Sequence, residues 1–108
     1  MSPAARGVVT ALALASLLTG CGDSGGRDPL AERGRQTFLA QCTACHNPEP
    51  SQPGPIGPPV KGASRELLEA KVLHGSYPPG YTPKRTTTIM VPLPAVAPDI
   101  PALAAYLR

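Results

Sequence analysis

The sequence predicts an all-α fold of about three helices joined by two long, proline-rich loops. Helix-starting residues followed by apolar positions at helical spacing occur at 28–42, 64–73 and 99–107. Most of the 15 prolines lie between these segments, where they exclude helix interiors and central strands. With no Trp and only 4% aromatic residues, side chains alone offer little to fill a core. We therefore expect the loops to wrap a large, flat apolar group.

The first helix is predicted to run from Asp28 or Pro29 to about Cys42. Asp28 suits the N-cap and Pro29 suits the first helical position. Gly34, Phe38 and Cys42 recur every four residues and share one slowly drifting helix face. A glycine costs a helix roughly 1 kcal/mol relative to Ala, so Gly34 either allows another helix to cross closely there or is a tolerated surface glycine.

Two shorter helices are predicted further along the chain. The second runs from about Arg65 to Leu73, with Ser64 as its N-cap and Gly75 at its end. The third follows Asp99, which we expect to cap it. Its predicted buried face consists of Ile100, Leu103, Tyr106 and Leu107.

The two loops are unusually long for a compact domain. Six prolines fall between Pro48 and Pro59, and a second irregular stretch covers residues 76–98. The first loop is either a disordered polyproline linker or a stiff loop that follows a rigid surface. The second possibility agrees with a fold organised around a cofactor.

The N-terminal segment has the anatomy of an export signal. Arg6 precedes an apolar run from about Val8 to Leu18, which is too short to span a bilayer of about 30 Å. The run ends in Leu18-Thr19-Gly20-Cys21, which resembles the lipobox of bacterial lipoproteins, and this resemblance implies that Cys21 is acylated. The alternative is ordinary cleavage after Ala15, which would leave Cys21 free.

These features divide the chain into three parts. Residues 1–20 are predicted to be a lipoprotein signal peptide, residues 21–28 a lipidated tether and residues 29–108 a single domain. We expect the protein to be exported and held by lipid on the periplasmic side of a bacterial membrane. The formal net charge of +3 falls when Arg6 leaves with the signal, so we expect no nucleic-acid partner.

Cys42, Cys45 and His46 form a C-x-x-C-H motif. Such a motif can attach a haem covalently, contribute to a zinc site or form a dithiol redox couple. A zinc site would need His74 as its fourth ligand. A thioredoxin-type couple normally lies in a βαβ unit, and no strand is predicted here. Behind an export signal the motif favours haem c, with thioethers from both cysteines and His46 as the proximal iron ligand.

Residues 29–108 resemble a monohaem class I cytochrome c. Gly34, Phe38 and the C-x-x-C-H motif match the family's first helix in order and spacing. The segment GPPVKG at 57–62 resembles its G-P-x-L-x-G loop, and DIPALAAYL resembles its C-terminal helix. The resemblance implies a small cytochrome c-like fold around one covalent haem, with Gly34 and Phe38 meeting Leu103 and Tyr106 where the terminal helices cross.

The resemblance also implies how the iron is held. The carbonyl of Pro58 would accept a hydrogen bond from Nδ1 of His46 and orient its ring. Met90 would be the distal iron ligand, although the usual Met-Pro pair is here Met90-Val91-Pro92. His74 is the competing distal ligand, and the structural alternative for Met90 is a gap-filling side chain in an apolar loop.

Relatives of this kind also bind the haem propionates with polar side chains. Thr88 has a counterpart that contacts a propionate in some relatives. The Trp that often does so is absent, and Tyr77 and Tyr81 are either a replacement for it or ordinary loop residues.

The function that follows is electron transfer rather than catalysis. A haem with two axial ligands has no open site, so the protein would pass single electrons between exported or membrane redox partners, alone or as the haem subunit of a redox enzyme. The alternative is a ligand-binding or peroxidatic haem protein with a labile sixth ligand. Five basic residues either surround the exposed haem edge for docking or are simply solvated: Lys61, Arg65, Lys71, Lys84 and Arg85.

Overall fold

The computed structural model describes Gly26 and residues 28–108. The predicted signal segment, Cys21 and most of the tether lie outside the described residues. Within the described part the chain is helical and has no strand, which confirms the all-α prediction. No helix in that part has the length and apolar character needed to cross a membrane.

The first helix, α1, spans Pro29–Gln41 and begins as predicted. The side chain of Asp28 accepts a hydrogen bond from the backbone N–H of Ala31 at 2.7 Å. Pro29 occupies the first turn, where a missing N–H leaves no bond unmade. The helix ends where the N–H of Cys42 donates to the carbonyl of Phe38.

The second helical segment begins as an α-helix and ends as a π-helix. Helix α2 covers Arg65–Leu68, and the π-helix continues over Glu69–Leu73. Ser64 caps the start by accepting from the N–H of Leu67 at 3.1 Å. Gly75, with φ of +66°, follows the segment in the left-handed conformation that commonly ends a helix. The predicted position is therefore right, but half of the predicted helix has the wider π hydrogen-bonding pattern.

Helix α3 spans Ile100–Leu107 and follows a 3₁₀-helix at Pro94–Asp99. The prediction that the side chain of Asp99 caps α3 is wrong. The 3₁₀ turn precedes α3 directly, and the N–H of Ile100 already donates to the carbonyl of Ala97. The carboxylate instead accepts from Arg33 Nε at 2.7 Å and from Thr37 Oγ1 at 3.0 Å, so it ties α3 to α1.

Helices α1 and α3 cross closely at Gly34. A Cβ atom at this position would overlap the carbonyl of Ala102 and would lie 2.9 Å from Cβ of Tyr106. The ring of Phe38 lies 5.7 Å from that of Tyr106, at an interplanar angle of 50°. The close crossing is therefore confirmed, with Ala102 rather than Leu103 against the glycine.

The core joins one face of each helix. It consists of Phe38, Leu68, Val72, Val96, Ile100, Leu103 and Leu107, and half-buried Met90 and Leu93 pack against it. All but two of the seven core residues also line a cavity between the helices and the two loops. The helices therefore bury one side of the core against each other and present another side to this cavity.

The first proline-rich loop folds back on the end of α1. The N–H of Gly57 donates to the carbonyl of Cys45 at 2.8 Å, and the carbonyl of Pro50 accepts from Val60 at 2.8 Å and from Lys61 at 3.0 Å. These bonds hold the loop in one path beside the C-x-x-C-H motif. The loop is therefore not an extended linker.

Candidate functional site

The cavity between the helices and the loops has a volume of about 610 Å³. Ligand sites in proteins commonly measure about 300–1,000 Å³. Five of the residues predicted to form the site line this cavity: Cys42, Cys45, His46, Pro58 and Met90. Two separate parts of the chain thus contribute the sulfur and nitrogen donors of one site, and a third part contributes the carbonyl of Pro58.

The two cysteines lie on a single turn that continues from α1. The N–H of His46 donates to the carbonyl of Cys42 at 2.9 Å, and the N–H of Cys45 donates to the same oxygen at 3.3 Å. Both thiols are unpaired and half-buried. Burial raises the pKa of Cys42 to about 11, so this thiol is protonated near neutral pH.

The imidazole of His46 is buried, with 9% of the residue exposed. Its Nδ1 atom lies 3.0 Å from the carbonyl oxygen of Pro58, which is the contact implied by the resemblance to cytochromes c. Because a carbonyl oxygen only accepts, the ring hydrogen in this contact belongs to Nδ1. Nε2 then keeps its lone pair and is the nitrogen that can bind a metal ion.

Gly57 packs directly against the ring of His46. A Cβ atom at this position would overlap the imidazole, and one at Gly54 would overlap the carbonyl of Cys45. The N–H of Gly54 also donates to the carbonyl of Gly57 at 2.9 Å. The motif at 57–62 contains Gly57, but its contact with the imidazole follows only from the fold. Two glycines thus let the loop backbone approach the motif closely.

The two candidates for distal ligand occupy different places. Met90 is half-buried, packs against the core and lines the cavity. Its neighbours Ile89 and Val91 also line the cavity, although they are 61% and 72% exposed. His74 is exposed and does not line it. Only Met90 is therefore in a position to serve the same site as His46.

A pair of stacked tyrosines forms another part of the wall. The rings of Tyr77 and Tyr81 lie 5.5 Å apart and within 11° of parallel, and Lys71 Nζ lies 4.5 Å from the centre of the Tyr77 ring. All three residues line the cavity, whereas Thr88 is exposed and does not. The contact between Thr88 and a propionate stays a prediction that its position does not support.

The charged side chains on the cavity wall are all basic in the described part of the chain: Lys61, Lys71, Lys84 and Arg85. Lys84 also joins the two loops, since its Nζ donates to the carbonyl of Pro59 at 2.8 Å. Arg65, the fifth basic residue predicted to lie around the site, is elsewhere and pairs with Glu69 at 2.8 Å. The wall therefore suits an apolar ligand that carries negative charge.

The alternatives for the C-x-x-C-H motif find less support. Among the described residues, no group of three or more His, Cys, Asp or Glu side chains could hold a metal ion by itself, so the donors of a tetrahedral zinc site are not gathered. A reactive dithiol couple depends on a lowered thiol pKa, whereas burial raises the pKa of Cys42. Covalent haem attachment needs neither condition.

Comparison with known proteins yields no relative: no protein-family model, curated protein or solved structure matches this chain. The cavity and the donors on its wall are therefore the features of the molecule that indicate its function. These donors are two thiols, one imidazole whose Nδ1 contacts the carbonyl of Pro58, and one thioether.

Proposed function

We propose that this protein is an electron carrier with a cytochrome c-like fold around one covalent haem c. The observation that carries the proposal is the meeting of Cys42, Cys45, His46 and Met90 on the wall of one cavity. Two thiols three positions apart and an imidazole directly behind them are the attachment set for such a haem. When bound there, the haem supplies one-electron chemistry at its iron.

Each donor on the cavity wall would hold the haem in a different way. Cys42 and Cys45 would form the two thioether bonds, and each thiol would add across one vinyl group, with sulfur bonding one carbon and hydrogen the other. His46 would bind the iron through Nε2 while Pro58 holds Nδ1–H. Gly57 packs against the imidazole and thereby restricts its rotation. Met90, from the other loop, would supply the second protein ligand of the iron.

The other residues of the cavity wall would exclude water from the haem and offset its negative charge. Five core residues make one side of the cavity apolar: Phe38, Leu68, Val72, Leu103 and Leu107. Burial in such surroundings and two protein ligands would keep the structural change between oxidation states small and would set the reduction potential of the haem. The four basic side chains on the wall would offset the negative charge of the haem carboxylates.

Optical spectra of the purified protein test this function. We expect a covalently held haem whose reduced form has two axial ligands and is unchanged by carbon monoxide. A colourless protein from cells that mature c-type haem would overturn the assignment of the cofactor. If the wild type bound carbon monoxide readily, the site would be open and the ligand-binding alternative would replace electron transfer.

The N-terminal signal supports a proposal that the carrier is exported and lipid-anchored at Cys21. Stable anchoring needs more than one acyl chain, and lipoproteins carry more than one. We expect the wild type to sediment with membranes and Cys21→Ser not to accumulate there, while the haem content per protein stays the same in both. A wild-type mature chain that begins at Ser16 would show that the lipobox interpretation is wrong.

The basic wall also favours anionic electron-transfer partners with a transient, polar interface. With hexacyanoferrate(III) as an anionic oxidant, we expect the oxidation rate of the reduced protein to fall as ionic strength rises. Arg85→Glu should slow this reaction about tenfold at low salt. Arg65→Glu is the matched control, because Arg65 is exposed but does not line the cavity. Equal rates for the two variants would contradict docking at the cavity edge.

A further inference from the structure

The loop that carries Met90 is bound to the end of the second helical segment. The N–H of Leu93 donates to the carbonyl of Val72 at 2.7 Å. Val72 lies near the end of the π-helix Glu69–Leu73. The last carbonyls of a helical segment have no partners within it and need hydrogen-bond donors from elsewhere. Leu93 is three residues beyond Met90, so this bond fixes the chain shortly after the proposed ligand.

A second contact acts one residue closer to Met90. Gly75 has φ of +66°, and a Cβ atom there would lie 3.2 Å from Cγ and 3.8 Å from Cδ of Pro92. The proline ring is bonded to its own backbone nitrogen, so it has no side-chain rotation with which to move aside. A side chain at Gly75 would therefore press on the ring of Pro92, two residues from Met90, and Pro92 would have to shift by a few tenths of an ångström.

The chain on the other side of Met90 is held less firmly. Residues 82–89 are all exposed, and the hydrogen bond that ties this stretch to the first loop comes from the flexible side chain of Lys84 to the carbonyl of Pro59. The contacts that hold the loop beside the second helical segment therefore lie on the C-terminal side of Met90, at the ring of Pro92 and the backbone of Leu93.

We propose that Gly75 is a positioning residue for Met90. Because Gly75 has no side chain, it leaves room for Pro92, and the bond between Leu93 and Val72 can then keep the thioether of Met90 on the cavity wall. The inference rests on the proposed ligation of iron by His46 and Met90. It assigns a role in that ligation to a glycine 15 positions away from Met90 in the sequence.

Gly75→Ala tests this role, with Gly80→Ala as the matched control. Gly80 also has positive φ, +79°, but a Cβ atom there would meet nothing within 4 Å. Both variants carry the strain of alanine in a left-handed conformation, and only Gly75→Ala presses on Pro92. Relative to the control, we expect Gly75→Ala to weaken the red sulfur-to-iron band. We also expect the fraction of protein that reacts with carbon monoxide to rise about tenfold, which corresponds to a loss of about 1.4 kcal/mol in the binding of Met90 to iron.

Two further measurements separate positioning from a general loss of stability. Hydrogen exchange at the Leu93 amide should accelerate in Gly75→Ala and not in Gly80→Ala. Adding Pro92→Ala to Gly75→Ala removes the ring atoms that the new methyl group meets, and it should restore the red band. If Gly75→Ala does not fold, Gly75→Asn provides the same Cβ atom with less strain, because Asn tolerates the left-handed conformation.

The outcomes distinguish this inference from the proposed function. A wild type with the red band, together with Gly75→Ala that matches Gly80→Ala, would overturn the role of Gly75. Failure of Pro92→Ala to restore the band would also overturn it. A wild type without the red band would instead contradict ligation by Met90, and exchange at the Leu93 amide would still decide whether Gly75 holds this loop.

Discussion

Replacing Cys42 and Cys45 together by alanine is expected to abolish covalent haem attachment. Thioether bonds survive denaturation, whereas bonds between iron and its axial ligands do not. In a denaturing gel, the haem stain of the double variant should therefore fall from one haem per chain to background. The backbone bonds around the motif use carbonyl and N–H groups of Cys42 and Cys45, which alanine retains, so the change is confined to the thiols.

The third cysteine of the chain provides the control for this experiment. Cys21→Ser removes one thiol outside the predicted domain and should leave the haem stain at the wild-type level. Each single variant, Cys42→Ala or Cys45→Ala, should retain haem through the one remaining thioether, in lower yield. A double variant that kept haem through denaturation would contradict the attachment at these two residues.

Removing the Met90 thioether is expected to change the haem spectrum, the reduction potential and access to the iron. Ligation by methionine and histidine raises the potential relative to two histidines, so Met90→Ala should lower it. The same variant should lose the red sulfur-to-iron band and change from indifference to carbon monoxide to full binding. His74→Ala should leave all three properties nearly unchanged, because His74 is exposed and does not line the cavity.

Met90→Leu separates ligation from packing. Met90 is half-buried against the core, so truncation to alanine also removes packing atoms, which destabilises a protein by about 2–5 kcal/mol when the side chain is fully buried. Leucine nearly conserves the volume but has no sulfur. We therefore expect Met90→Leu to bind carbon monoxide as Met90→Ala does, with a smaller loss in the midpoint of thermal unfolding. A spectrum that responds to His74→Ala and not to Met90→Leu would show that the ligand assignment is wrong.

The starts of the first two helices could be predicted because helix capping is local. Asp28 bonds to the N–H of Ala31, and Ser64 bonds to the N–H of Leu67, in each case three residues away. The residues that make these bonds lie within one helical turn of each other, and the capping side chains have few alternative partners there. Local chemistry therefore indicated these boundaries to within a residue.

The same reasoning failed at Asp99, where a distant partner competes for the side chain. Asp99 has the residue type and the position of a cap, but Arg33 and Thr37 bind its carboxylate across the crossing of α1 and α3. The π-helix at Glu69–Leu73 was likewise not predicted, since the sequence pattern over 65–73 is that of an ordinary helix. Both differences concern hydrogen bonds whose partners depend on how the helices pack.

The chemical groups of the site could be read from the amino-acid order alone: a C-x-x-C-H motif, one methionine after the predicted signal and the glycines and prolines of two irregular loops. Which of these groups meet depends on the folded chain. It brought Met90 to the cavity wall and left His74 and Thr88 off it, and it put Gly57 against His46 and Pro92 against Gly75. This difference arises from the sequence distance over which the interactions act. A cap or a turn depends on neighbours within a few residues, whereas the wall of a cavity consists of distant segments that only the packing of the core brings together.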